Sequence, residues 1–124
     1  MLKWVLLALA GAAGTGLRVW LSGVVQRSLG TSFPWGTAVV NVLGCLLFGI
    51  VYAGLEGRTH VSPVYKLVLI GGFMGAFTTF STFVYEAEAL IVDGRLGAAA
   101  LDVLGQSLAG LAAMVAGLAL GRAL

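Results

Sequence analysis

The feature that most constrains this chain is the run from Ser28 to Leu55, which contains no charged side chain. A stretch of about 18 or more such residues, if mostly apolar, is long enough to cross a bilayer as a helix. Three other long apolar windows are poor in charge, and short connections rich in Gly, Pro, Ser or Asp separate them. The sequence therefore predicts four membrane spans, at about residues 4–25, 34–55, 64–90 and 97–121.

Composition excludes the main alternatives to a membrane protein. Hydrophobic residues make up 60% of the 124 residues, and only 7 basic and 5 acidic side chains are present. Twelve charges cannot cover the large surface of a soluble domain this small, and so apolar a chain does not stay disordered. The net charge of +2 is scattered, which argues against nucleic-acid binding. Residues 1–124 are thus predicted to form a single all-α domain with four transmembrane helices in the cell (inner) membrane.

The positive charges give only a weak signal for orientation. One side of the predicted bundle carries Lys3, Arg58, Lys66 and Arg122, whereas the other carries Arg27 and Arg95, with Arg18 if it reaches that face. Orientation follows such a bias, and 4 against 2 or 3 is a small one. Insertion in both orientations would let opposed copies pair as an antiparallel dual-topology homodimer. The alternative is one fixed orientation that the charges do not reveal.

Span three contains polar residues where a membrane helix rarely has them. Thr78, Thr79, Ser81 and Thr82 place four hydroxyls within five residues, shortly after three glycines. A hydroxyl can bond a carbonyl one turn back, but this concentration favours a helix that is broken mid-membrane. Such breaks occur where they line a cavity or are buried in protein, and their carbonyls can coordinate a cation. A continuous helix with self-bonded hydroxyls is the alternative.

Phenylalanine recurs every three residues through the same segment, at Phe77, Phe80 and Phe83. Such a stripe usually indicates packing. Aromatic ring edges are electropositive, so an anion can meet ring edges on one side and hydroxyl or amide donors on the other. This arrangement binds an anion weakly enough to release it, as conduction requires.

Other polar residues in the spans allow two interpretations each. Asn41, the only asparagine, shares a helix face with Thr37 and offers two amide donors, either to an anion or to an interhelical hydrogen bond. Ser107 is a weaker candidate of the same kind. Arg18 either attracts anions at a vestibule or extends to the interface. No nucleophile–base pair, phosphate loop or metal-binding Cys/His cluster is present, so the sequence does not predict an enzyme. No proton-coupling carboxylate is evident in the spans, which argues against proton-coupled transport.

Three motifs resemble the CrcB/Fluc fluoride channel family. They are Gly11-x-x-Gly14-x-x-x-Arg18, Gly36-Thr37-x-x-x-Asn41-x-x-Gly44, and Gly71-Gly72-Phe73-x-Gly75-x-Phe77-Thr78-Thr79-Phe80-Ser81-Thr82-Phe83-x-x-Glu86. The likeness covers the whole chain in length, number of spans and motif order, and the third motif is long and specific. Departures are few: Val84 stands where a serine is common, and Val19 where an aromatic residue is usual.

The resemblance implies a passive fluoride-selective channel that lowers cytoplasmic fluoride. It implies a dual-topology antiparallel homodimer with two fluoride pathways, lined by Asn41, Phe80 and Phe83. A polar track would include Thr37, Thr79, Ser81, Thr82 and Ser107, with Arg18 at the vestibule. By the same resemblance, a structural Na⁺ at the dimer interface would be held by backbone carbonyls of Gly75 and Thr78 from both copies.

Two other functions fit the span pattern before the resemblance is considered. A small proton-coupled multidrug or cation exporter also has four spans and dual topology, but it needs a membrane-embedded carboxylate. A structural subunit of a larger membrane complex needs none, and it would conduct no ions alone.

Overall fold

Membrane spans have to satisfy their own backbone N–H and C=O groups, and a helix does so within one segment. The computed structural model describes residues 1–124 as helices joined by short loops. Its elements are α1 (Leu2–Leu29), α2 (Trp35–Leu55), α3 (Pro63–Lys66), a π-helical segment (Leu67–Met74), α4 (Gly75–Phe77), α5 (Phe80–Val92) and α6 (Leu96–Arg122). The four stretches Leu2–Leu29, Trp35–Leu55, Pro63–Val92 and Leu96–Arg122 are each long and apolar enough to cross a membrane. The predicted all-helical architecture with four spans is therefore confirmed.

The helices extend past the apolar windows, most of all at the end of α1. This helix continues to Leu29, so the connection expected to begin at Gln26 begins at Gly30. The Gln26 amide donates to the carbonyl oxygens of Gly30 (2.6 Å) and Phe33 (2.8 Å) and accepts from the Gly36 N–H (2.9 Å). Gly30 has a φ of 89°, which glycine adopts without strain. One side chain thus closes the turn between α1 and α2.

The third span is made of several pieces. The Ser62 hydroxyl accepts from the Val64 N–H (3.3 Å) and begins α3. The next eight residues are π-helical, a wider winding that is often found near functional sites. After α4, Thr78 (φ −87°, ψ 161°) and Thr79 (φ −148°, ψ 118°) are extended, and α5 then begins at Phe80. Two non-helical residues therefore lie inside an apolar span.

Glycines let the helices approach closely, since lipid gives apolar helices little other reason to associate. A Cβ placed at Gly49 of α2 would lie 2.7 Å from the Met114 carbonyl oxygen of α6. A Cβ at Gly14 of α1 would overlap the Phe73 carbonyl oxygen in the π-helical segment. Backbone contacts of this kind hold α6 against α2 and α1 against the third span.

Most of the surface is apolar. Only 18 of the 124 residues are buried, and large hydrophobic side chains such as Leu104, Leu108 and Leu111 of α6 are exposed. A soluble protein of this size would bury a larger share of its chain. The exposed faces are those that lipid, or a second protein surface, covers in a membrane.

Candidate functional site

A cleft of about 270 Å³ opens where α2, the Thr78–Phe83 segment and α6 meet. It is lined by Asn41, Cys45, Thr78, Thr79, Phe80, Phe83, Gln106 and Ser107. Six of these residues were singled out by the sequence, and no lysine or arginine lines the cleft. The fold therefore brings together polar and aromatic side chains from three spans without a fixed positive charge.

The side chain of Asn41 is bonded to the extended backbone at Thr79. Its Oδ1 accepts from the Thr79 N–H (2.9 Å), and its Nδ2 donates to the Thr79 carbonyl oxygen (3.1 Å). The amide thereby supplies both hydrogen bonds that this residue would make within a helix. Its second N–H donates to Gln106 Oε1 (3.0 Å). The interhelical hydrogen bond, one of the two interpretations that the sequence allowed for Asn41, is therefore present. Both Asn41 N–H donors are engaged.

A second link continues from Gln106 to an acidic residue. Gln106 Nε2 donates to Asp102 Oδ1 (2.7 Å), one turn earlier on α6. Asp102 is completely buried, and its Oδ2 has no hydrogen-bond partner. It lies six residues into α6, or about 9 Å along the helix. Span four therefore contains a buried carboxyl group, although it does not line the cleft.

The phenylalanine stripe divides into two parts. Phe77 is fully buried and its ring is parallel to that of Phe73, with centroids 6.2 Å apart. The rings of Phe80 and Phe83 lie 5.8 Å apart at 50° and both line the cleft. Phe80 is 76% exposed, a large fraction for an aromatic side chain. Packing explains Phe77, whereas Phe80 and Phe83 are available to a ligand in the cleft.

The hydroxyls of the third span mostly bond to the span itself. Thr79 Oγ1 accepts from the Thr82 N–H (3.4 Å) and donates to Thr82 Oγ1 (3.0 Å), which caps α5. Thr78 Oγ1 donates to the Met74 carbonyl oxygen (3.4 Å). Ser81 is exposed and does not line the cleft. These hydroxyls stabilise the ends of the two helices that flank the extended residues.

Two backbone carbonyls next to the extended residues lose their helical donors. In a continuous helix the Gly75 carbonyl would accept from the Thr79 N–H, which here donates to Asn41. The Thr78 carbonyl would accept from the Thr82 N–H, which here donates to the Thr79 hydroxyl. Both carbonyl oxygens are therefore free to accept another partner.

The remaining predicted residues lie outside the cleft or are self-bonded. Thr37 is buried and its hydroxyl donates to Glu86 Oε1 (2.9 Å), while Glu86 Oε2 is buried without a partner. Ser107 lines the cleft but donates to its own Val103 carbonyl oxygen (2.6 Å). Arg18 is half-buried, and its Nε has no hydrogen-bond partner. The structure does not join these side chains into one continuous track within a single chain.

Gln106 and Asp102 were missed because apolar residues lie all round span four, so hydropathy does not mark the face that these two polar residues share. The sequence drew attention to Ser107, which is one residue from Gln106 but about 100° away around the helix. The available signal was the spacing of Asp102 and Gln106, since residues four apart share a helix face.

Comparisons with known proteins agree with the motifs. The sequence profile of the family described as CrcB-like protein, Camphor Resistance (CrcB), matches residues 5–118. A protein of Solidesulfovibrio magneticus named Fluoride-specific ion channel FluC is 54% identical over 116 residues, which is 94% of this chain and 93% of the relative. Proteins of the same name from Maridesulfovibrio salexigens (49% identical; 98% and 97% of the two chains) and Nitratidesulfovibrio vulgaris strain Miyazaki F (52%; 98% of each) are similar over 122 residues.

Proposed function

Since this chain belongs to the CrcB-like protein family, we propose that it is a fluoride-selective ion channel and not an enzyme. The observation that carries the proposal is the cleft in which Asn41, Phe80 and Phe83 meet, in a chain that is 54% identical to a protein named Fluoride-specific ion channel FluC. Its four apolar helices make it a multi-pass membrane protein.

Fluoride loses hydration on entering the cleft, and neutral groups compensate for that loss. The electropositive edges of Phe80 and Phe83 face the ion from one side. The Thr79 hydroxyl and the Asn41 amide face it from the other. Their protons are engaged in hydrogen bonds within the protein, so an ion competes with Thr82 Oγ1 for the hydroxyl proton and with the Thr79 carbonyl or Gln106 for an amide proton. The competition keeps binding weak enough for release.

The conducting unit is an antiparallel dual-topology homodimer with two pathways. Support comes from the small difference in positive charge between the two sides, 4 against 2 or 3. Phe80, exposed at the open side of the cleft, needs a covering surface, and a second copy supplies it. The polar track of Thr37, Thr79, Ser81, Thr82 and Ser107, with Arg18 at the vestibule, is completed across the two copies.

The third span is a broken helix at membrane depth, and a structural Na⁺ fits beside the break. The extended residues Thr78 and Thr79 support the first point. The carbonyls of Gly75 and Thr78, whose helical donors are engaged elsewhere, support the second, since unwound carbonyls can coordinate a monovalent cation. Gly75 is exposed, so a second copy can bring the same carbonyls to the ion. Bound there, Na⁺ supplies a positive charge that stabilises the interface.

The channel lowers cytoplasmic fluoride by passive export. A proton-coupled exporter needs a carboxylate that faces a water-filled cavity. Asp102 is fully buried and bonded to Gln106, and neither Asp102 nor Glu86 lines the cleft. The structure therefore favours the channel over the exporter.

Fluoride efflux from liposomes that contain only this protein tests the proposal. A channel releases fluoride down its gradient, with potassium and valinomycin balancing the charge, whether or not a pH gradient is imposed. A rate that follows the pH gradient would indicate an exporter, and no efflux at all would indicate a structural subunit.

A further inference from the structure

A directed chain of buried hydrogen bonds runs from α6 to the extended backbone of the third span. Gln106 Nε2 donates to Asp102 Oδ1 (2.7 Å), and Asn41 Nδ2 donates to Gln106 Oε1 (3.0 Å). The Asn41 amide then pairs with the N–H and the carbonyl of Thr79. Each side-chain amide has an NH₂ group that donates and an oxygen that accepts, so this chain of hydrogen bonds has a direction, from the Thr79 N–H through Asn41 and Gln106 to Asp102.

Both ends fix the direction of this chain. At one end the Thr79 N–H only donates and its carbonyl only accepts, and at the other Asp102 Oδ1 accepts from the NH₂ group of Gln106, which turns the Gln106 oxygen toward Asn41. That oxygen in turn requires the NH₂ group of Asn41. Only in this orientation does Asn41 meet the Thr79 N–H with its oxygen and the Thr79 carbonyl with its nitrogen.

From this chain we infer that Asp102 and Gln106 are positioning residues for the candidate fluoride site. They act through Asn41, whose amide they orient, and thereby keep Thr79 extended at the cleft. Asp102 is fully buried and Gln106 is 9% exposed, so water does not replace either partner. The effect on conduction rests on the proposed channel function, whereas the effect on the Asn41 amide does not.

Three substitutions separate positioning from simple packing. Gln106→Met keeps length and volume but removes both hydrogen bonds. Asp102→Leu removes the acceptor that orients Gln106, whereas Asp102→Asn keeps an acceptor oxygen for Gln106 Nε2. Leu104→Met, on an exposed face of the same helix, is the matched control for a new methionine.

The first readout is fluoride efflux from liposomes, with assembly checked by gel filtration. We expect Gln106→Met and Asp102→Leu to slow efflux at least about tenfold, which corresponds to about 1.4 kcal/mol and is within the cost of an unsatisfied buried polar group. Asp102→Asn and Leu104→Met keep wild-type rates. If Gln106→Met fails to assemble, the efflux rates of Asp102→Leu and Asp102→Asn are compared instead.

The second readout observes the Asn41 amide directly and needs no flux. Asn41 is the only asparagine in the chain, so ¹⁵N-asparagine labelling gives one pair of side-chain NH₂ resonances. In Gln106→Met and Asp102→Leu, we expect the proton that faces Gln106 to move upfield, as a lost hydrogen bond requires. Asp102→Asn adds a second pair of resonances, from the new asparagine, and leaves both Asn41 protons at their wild-type positions.

The outcomes distinguish this inference from the proposed function. Wild-type protein that passes no fluoride contradicts the channel, while the amide spectra still decide the positioning role. Unchanged amide resonances in both Gln106→Met and Asp102→Leu overturn the inference, whatever the efflux. Wild-type efflux in both, or an Asp102→Asn rate as low as that of Asp102→Leu, overturns it as well.

Discussion

The side-chain amide of Asn41 pairs with both polar backbone groups of Thr79, which is 38 residues later in the chain. Oδ1 accepts the Thr79 N–H at 2.9 Å, and Nδ2 donates to its carbonyl oxygen at 3.1 Å. Unpaired backbone groups are costly away from water, so this pairing lets two residues remain extended within an apolar span. One side chain on α2 therefore stabilises the extended backbone of the third span beside the cleft.

Asn41→Asp tests this relationship. An ionised aspartate cannot donate to the Thr79 carbonyl or to Gln106 Oε1, and it places negative charge on the proposed anion path. We expect fluoride efflux to fall by at least about tenfold, since two hydrogen bonds become contacts between acceptors. Efflux from liposomes measures the change, with assembly followed by gel filtration. An unchanged rate would remove Asn41 from the pathway.

Phe80→Ile and Phe83→Ile test the role of the ring edges. Isoleucine remains apolar but has no electropositive edge, so we expect each variant to conduct fluoride at least about tenfold more slowly while still assembling. Tyr85→Ile is the matched control, because Tyr85 lies on the same helix, is 70% exposed and does not line the cleft. Normal conduction by both phenylalanine variants would contradict the ring-edge mechanism.

Gly14→Ala tests the close packing of α1 against the third span. The added methyl group would overlap the Phe73 carbonyl oxygen, so we expect a loss of about 1–3 kcal/mol in stability. No neighbour lies within 4 Å of a Cβ at Gly16, and Gly16→Ala should leave stability unchanged or raise it slightly. Thermal unfolding in detergent compares the two. Equal midpoints would show that Gly14 does not pack closely against the Phe73 carbonyl.

Thr37→Val tests the contact between α2 and α5. The two side chains have nearly the same shape, so the variant removes the hydroxyl that donates to Glu86 Oε1 at 2.9 Å. Because Glu86 Oε2 already lacks a partner, we expect a cost of about 1–3 kcal/mol, seen as a lower unfolding midpoint. Thr59→Val, in an exposed loop, is the control and should not change the midpoint. A midpoint equal to that of the wild type would mean that the bond contributes nothing to stability.

The four spans could be predicted because the bilayer imposes a length on every crossing segment. The charge-free run that ends at Leu55 coincides with the end of α2. The end of α1 could not be read from hydropathy, because polar Gln26 belongs to the helix and bonds the loop that follows. The π-helical winding of Leu67–Met74 was also not predicted, since it changes hydrogen-bond register without altering the apolar pattern.

The cleft could be predicted in part. Asn41 stood out as a single amide in an apolar span, and Phe80 and Phe83 as aromatic residues among hydroxyl side chains. All three line one cleft. The buried pair Asp102 and Gln106 did not stand out, because apolar residues lie all round α6 and their pattern does not indicate which face points inward. Their importance follows only from where α6 packs against α2.

The most direct test of the account is the rate of fluoride efflux relative to chloride efflux, measured in liposomes that contain only the assembled protein. In the proposed mechanism, neutral donors and ring edges carry a small, strongly hydrated anion through a cleft without lysine or arginine. This mechanism predicts rapid fluoride release and chloride release no faster than from protein-free liposomes. Chloride release as fast as fluoride release, or release of neither ion, would contradict it.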